Sequence, residues 1–166
     1  YRMITWANLF IWPLAQLWFR KYRIVWQTRQ DQKGLLFVAV GWMALLGIAA
    51  CLALILLGRV IVTFLFGSAF ESGVAMLSIF SLCLVFMIPG LILTQGVIAI
   101  NEEKTYAHVA FLCAGANIGM NCVLIPLVGA RGAAWSTVAT EAVLVALLAR
   151  VILRRFQCAG DVPPQS

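Results

Sequence analysis

Long apolar runs separated by short polar breaks set the pattern of this chain. Gly34–Gly58 carries no charged residue and closes at Arg59. About 20 apolar residues cross roughly 30 Å of hydrocarbon at 1.5 Å per residue, so this run predicts a complete transmembrane helix. Val60–Phe66 is apolar but too short to cross again, and is expected as a short helix on the outer surface. Gly67, Ser68, Ser72 and Gly73 then turn the chain. Gly73–Ile100, Tyr106–Val128 and Gly132–Leu153 predict three further spans, with the polar break Asn101-Glu102-Glu103-Lys104 after the first of them. Met3–Phe19 is uncharged but short and interrupted by Pro13. It reads as the end of a membrane helix whose beginning is missing. The expected fold is an all-α polytopic transmembrane bundle with four complete helices and a partial N-terminal one. Its three regions are residues 1–33 (helix end and basic loop), 34–155 (transmembrane domain) and 156–166 (a polar, disordered tail ending after Pro163-Pro164).

Composition agrees with a membrane setting. Of 166 residues, 63% are hydrophobic and 11% charged, more apolar surface than a soluble domain of this size could bury. The net charge of +6 acquires meaning from its placement. Arg20, Lys21, Arg23, Arg29, Lys33, Lys104, Arg150, Arg154 and Arg155 fall on one side of the predicted spans, Arg59 and Arg131 on the other, joined by Arg2 if the first segment spans. The positive-inside rule then puts the loop Arg20–Lys33 and the C-terminal tail in the cytoplasm. These charges flank apolar spans and form no continuous basic face, which excludes nucleic acid as a partner. Cys51, Cys83, Cys113, Cys122 and Cys158 include no C-x-x-C pair, and the first four lie in apolar spans, where cysteine serves as a small hydrophobe. No secretory signal is visible, and neither a metal nor a cofactor is expected.

The most informative stretch is Asn117–Glu141, a helical hairpin. Pro126 weakens the end of its first helix, and Gly129 and Gly132 let the chain reverse near Ala130. Gly115 and Gly119 form a GxxxG pair; Gly132, Ser136 and Thr140 form a small-xxx-small row on the second helix. Such rows let membrane helices approach closely. Asn117, Asn121, Thr137 and Glu141 sit among them, so the hairpin is expected to face protein or a polar cavity. An ionised carboxylate near the bilayer centre costs about 2.5–3.5 kcal/mol on insertion scales, so Glu141 should be paired, protonated or facing water. Counting back from Ala130 places Glu141 level with Gly119, which predicts that Asn117 or Asn121 satisfies it.

Three other positions draw notice. Pro89-Gly90 interrupts Gly73–Ile100 near its middle, removing a helical hydrogen bond; it predicts a bend, either a static kink or a candidate hinge. Gln95 is the lone amide of that span's inner half and is expected to bond a neighbouring helix or face a cavity. His108, with no acid or nucleophile nearby, reads as an interfacial polar residue. No H-E-x-x-H, G-x-S-x-G, P-loop or suitably spaced carboxylate pair is present, so an enzyme is not expected.

The ordered string Leu65-Phe66-Gly67-x-x-Phe70, an apolar helix, a polar loop, then Asn117-x-x-x-Asn121-x-x-Leu124-Ile125-Pro126-x-x-Gly129-x-x-Gly132-Ala133-Ala134 and Thr140-Glu141 resembles the C-terminal part of polysaccharide-biosynthesis flippases. These are O-antigen and exopolysaccharide repeat-unit exporters of the multidrug/oligosaccharidyl-lipid/polysaccharide superfamily. The resemblance covers roughly everything after Gly34. It implies a bacterial inner-membrane flippase of lipid-linked oligosaccharide, working by alternating access of two helical lobes. By resemblance the partners are the lipid bilayer, an undecaprenyl-pyrophosphate-linked glycan and a missing N-terminal lobe. Family members are longer, and this chain opens inside an apolar segment without Met, so a fragment is expected. A multidrug/cation antiporter and a peptidoglycan-precursor flippase of the same superfamily remain open, as does a non-transporting scaffold of a polysaccharide-synthesis complex.

Overall fold

The computed structural model describes residues 32–67 and 73–160, which form four α-helices and no strand. They are α1 (Gln32–Phe66), α2 (Gly73–Ala99), α3 (Glu103–Val128) and α4 (Ala130–Gly160). Each contains a stretch long and apolar enough to cross a membrane. The all-α membrane bundle expected from the sequence is therefore the observed fold. Met3–Phe19 and nearly all of the loop Arg20–Lys33 lie outside the described residues.

Two boundaries differ from the sequence reading. Val60–Phe66 is no separate surface helix: α1 runs unbroken for 35 residues and ends only at Gly67. Nothing in Arg59-Val60-Ile61-Val62-Thr63 stops a helix, and Val62 is buried, so packing carries the element past the charge. At the other end, α4 continues through Gly160, beyond the start of the expected tail.

The helices pack in the spatial order α1, α2, α4, α3, with α3 touching α2 only slightly. Consecutive helices run antiparallel, which makes α2 and α4 parallel neighbours. The continuous apolar core lies at one end of the bundle. Leu36 and Ala39 of α1 meet Ile92, Leu93 and Val97 of α2 and Leu148, Ile152 and Phe156 of α4. This end holds the loop after α2 and the last turns of α4, and is called the inner end below.

Large apolar side chains elsewhere point outward, Phe64 being 87% exposed and Phe111 80%. In a bilayer such surface faces acyl chains, so helix contacts depend on fit rather than on escape from water. Fit is set by small residues. A Cβ on Gly47 would lie 2.7 Å from the Leu84 carbonyl oxygen, so α1 and α2 touch backbone to backbone there. One helical turn further along α1, Cys51 Sγ lies 3.5 Å from Ser81 Oγ in the same interface.

The inner turn between α2 and α3 closes on itself. Asn101 adopts φ 60°, the Asn101 N–H bonds to Ile98 O (3.0 Å) and the Glu102 N–H to Val97 O (3.1 Å). This pair of bonds is a Schellman motif, with Asn in the left-handed position usually held by Gly.

Candidate functional site

The hairpin α3–α4 carries most of the polar groups found within the spans. Its reversal is tight. Gly129 alone separates the helices, at φ 65° and ψ −148°, a conformation open only to glycine. Gly132 is not part of the turn; it is helical, and a Cβ there would sit 2.5 Å from Leu124 O. Its lack of a side chain lets α4 lie directly on α3.

From this contact a polar seam runs inward. Ser136 Oγ donates to Asn121 Oδ1. Asn121 Nδ2 donates to Asn117 Oδ1 (2.9 Å), and Asn117 Nδ2 donates to Thr140 Oγ1 (3.0 Å). Thr140 returns its own proton to the Ser136 carbonyl (2.9 Å). The circuit begins and ends at Ser136, and the two asparagines share a face because they lie one turn apart. The small-xxx-small row of α4 thus meets α3 residue by residue: Gly132 on Leu124, Ser136 on Asn121, Thr140 on Asn117.

The GxxxG pair on α3 does not take part. A Cβ on Gly115 or Gly119 would meet nothing within 4 Å among the described residues. Sequence spacing identified two small rows, but only the α4 row lies against its neighbour.

Glu141 is likewise not where the depth argument placed it. Neither asparagine bonds it, and among the described residues its carboxylate makes no hydrogen bond. Two facts account for the difference. The reversal centres between Val128 and Gly129 rather than near Ala130, so Thr140 pairs with Asn117 and Glu141 falls level with Ala116. Moreover, one residue further along a helix is a rotation of about 100°, which turns Glu141 off the seam face. It lines a cleft of about 420 Å³ between α3 and α4, with Thr137, Thr140, Asn117, Cys113 and Leu144. A second, more open hollow on α3, about 370 Å³, is lined by Ile118, Asn121, Cys122, Ile125 and Pro126.

The other sequence candidates stay apart from this site. Gln95 is half-buried in the inner half of α2, and its amide bonds no neighbouring helix among the described residues. Pro89 and Gly90 are buried within a continuous α2, and a Cβ on Gly90 would lie 3.1 Å from Val145 Cγ2 of α4. His108 Nδ1 lies 2.7 Å from Lys104 O on an exposed turn. Among the described residues no group of three His, Cys, Asp or Glu converges as a metal set.

One polar feature escaped the sequence reading. Arg155, near the end of α4, donates through Nε (2.7 Å) and Nη2 to Glu102 Oε1, while Thr105 Oγ1 donates to Glu102 Oε2 (2.6 Å). The Thr105 hydroxyl, then the Arg155 guanidinium, hold the Glu102 carboxyl below the usual glutamate range. The residues are 53 apart, so no local spacing announced the pair.

Residues 25–162 match the family model of the lipid II flippase MurJ. The chain belongs to this family. No curated protein and no solved structure matches it. The MurJ match makes the chain a membrane protein of the lipid-linked-precursor flippase kind, a transporter family rather than an enzyme family. It favours the peptidoglycan-precursor alternative over the O-antigen and exopolysaccharide exporters that the ordered string resembles. The MurJ match extends across all four helices, so the seam and the Glu141 cleft lie inside the family's region.

Proposed function

We propose that this protein moves lipid II, the lipid-linked precursor of peptidoglycan, across the plasma membrane by alternating access. The observation that carries this reading is the lipid II flippase match over residues 25–162. The polar groups of the hairpin support it. The seam satisfies itself and holds α3 to α4, whereas Glu141 lies outside the seam in a cleft. An intramembrane carboxylate without a partner faces a water-filled path more cheaply than lipid.

Two further readings belong with this function. The inner end, with Lys104, Arg150, Arg154 and Arg155, is the cytoplasmic end, by the bias of positive charge. Pro89-Gly90 is the hinge of α2. Pro89 leaves the Val85 carbonyl without its helical donor, one residue from the carbonyl against which Gly47 packs. Bending α2 there breaks no hydrogen bond that Pro has not already removed.

Substrate preference tests the reading. The purified protein in lipid nanodiscs is titrated with lipid II and, separately, with an undecaprenyl-pyrophosphate-linked glycan that carries no peptide. Tighter binding of lipid II is expected. Preference for the peptide-free glycan would return the assignment to the polysaccharide exporters.

A further inference from the structure

The Glu141 cleft offers acceptors and no free hydroxyl proton. Thr137 Oγ1 gives its proton to Ala133 O (2.9 Å). Thr140 Oγ1 gives its own to Ser136 O (2.9 Å) or Thr137 O (3.0 Å), and accepts from Asn117. Asn117 Oδ1 is occupied by Asn121 Nδ2. Glu141 contributes a carboxylate with no hydrogen bond among the described residues, and the three side chains line one cleft. A carboxylate beside two hydroxyls with committed protons matches a compact cation with several N–H donors. A primary ammonium has three donors and no acceptor. The cleft, about 420 Å³, is far too small for a whole lipid-linked glycopeptide and large enough for the end of one amine-bearing side chain.

We infer that Glu141, with Thr137 and Thr140, binds the primary ammonium group of the peptide on the transported lipid. This assignment rests on the lipid II reading above, because the peptide of lipid II carries such an amine and a peptide-free glycan lipid does not. Glu141 lies near the middle of the membrane-length stretch of α4, Ala130–Phe156, and level with the middle of α2, so the contact forms as the head group passes the bilayer centre. There it replaces the hydration that the ammonium loses, and the ammonium neutralises a carboxylate that no other group pairs among the described residues. The seam has no equivalent role: each of its side chains already has a partner within the hairpin.

The test alters the ligand first and the protein second. Lipid II and lipid II N-acetylated at the peptide amine are bound to the wild-type protein in nanodiscs, and to Glu141→Gln. Acetylation removes the charge while keeping the lipid, the diphosphate and the sugars. The wild type is expected to bind intact lipid II about tenfold or more tightly than the acetylated form, the scale expected when one partner of a desolvated charge pair is removed. Glu141→Gln is expected to bind both forms alike, at the wild type's level for the acetylated one. Equal binding of the two forms by the wild type overturns the inference while leaving the lipid II reading intact. Retained discrimination by Glu141→Gln also overturns it. Binding of neither form by the wild type refutes the lipid II reading itself, and the inference with it. Should Glu141→Gln fail to fold, the wild-type comparison decides alone.

Discussion

Glu102 and Arg155 show what a single residue contributes at the inner end. Glu102 closes the Schellman turn through its backbone and reaches across to α4 through its side chain. Both carboxylate oxygens accept, so the folded state favours the ionised form and the carboxyl titrates below the ordinary glutamate range. The sign follows from linkage. A carboxyl with a depressed folded-state pKa stabilises the fold above its unfolded pKa and loses that contribution as pH falls through its folded pKa. Thermal unfolding in detergent, followed from neutral pH into acid, is therefore expected to show a steeper loss in the wild type than in Glu102→Gln. Because the pair is exposed, added salt should shrink the difference between the two proteins. Identical acid profiles would remove the pair from the account. Asn101 and Glu102 were visible in the sequence only as a polar break. A left-handed Asn and a partner 53 residues away leave no periodic trace.

At the scale of the helix, the sequence told spans from breaks well and told one face from another poorly. Membrane helices are apolar all round, so hydrophobic periodicity, which marks the buried face of a soluble helix, carries little information. Small residues carry it instead, and only some of them. Gly47 and Gly132 lie against neighbouring backbone, whereas a Cβ on Gly41, Gly115 or Gly119 would meet nothing within 4 Å among the described residues. Spacing alone cannot separate the two groups, because the neighbour decides. The Glu141 misplacement has a similar origin: a turn centred slightly earlier than Ala130 shifts the register of two helices, and a rotation of one residue changes the partner. The contrast among glycines is measurable. Gly47→Leu and Gly132→Leu force neighbouring backbone to move and are expected to cost about 1–3 kcal/mol, the usual range for overpacking. Gly115→Leu, on an open face of the same bundle, is expected to cost less. Thermal or denaturant unfolding in detergent compares the three. A larger loss at Gly115 than at Gly47 or Gly132 would contradict the packing described.

For the molecule as a whole, the four membrane-length helices were legible because span length is a long-range regularity. Among the described residues, Lys104, Arg150, Arg154 and Arg155 lie at the end where α2 passes into α3 and α4 terminates. The position of each polar residue was legible; its partner was not. Asn117 and Asn121 hold the hairpin together, and Glu141 is left to the cleft. The branch of the superfamily was not readable from the ordered string, since Asn, Pro and Gly at those spacings specify a hairpin rather than a substrate. Under the proposed function, lipid II is carried to the outer leaflet. The direct measurement is the fraction of cellular lipid II cleaved by an impermeant hydrolase added outside spheroplasts, before and after the protein is depleted. Depletion is expected to lower the cleaved fraction while total lipid II rises. An unchanged cleaved fraction, with surface polysaccharide lost instead, would contradict the account.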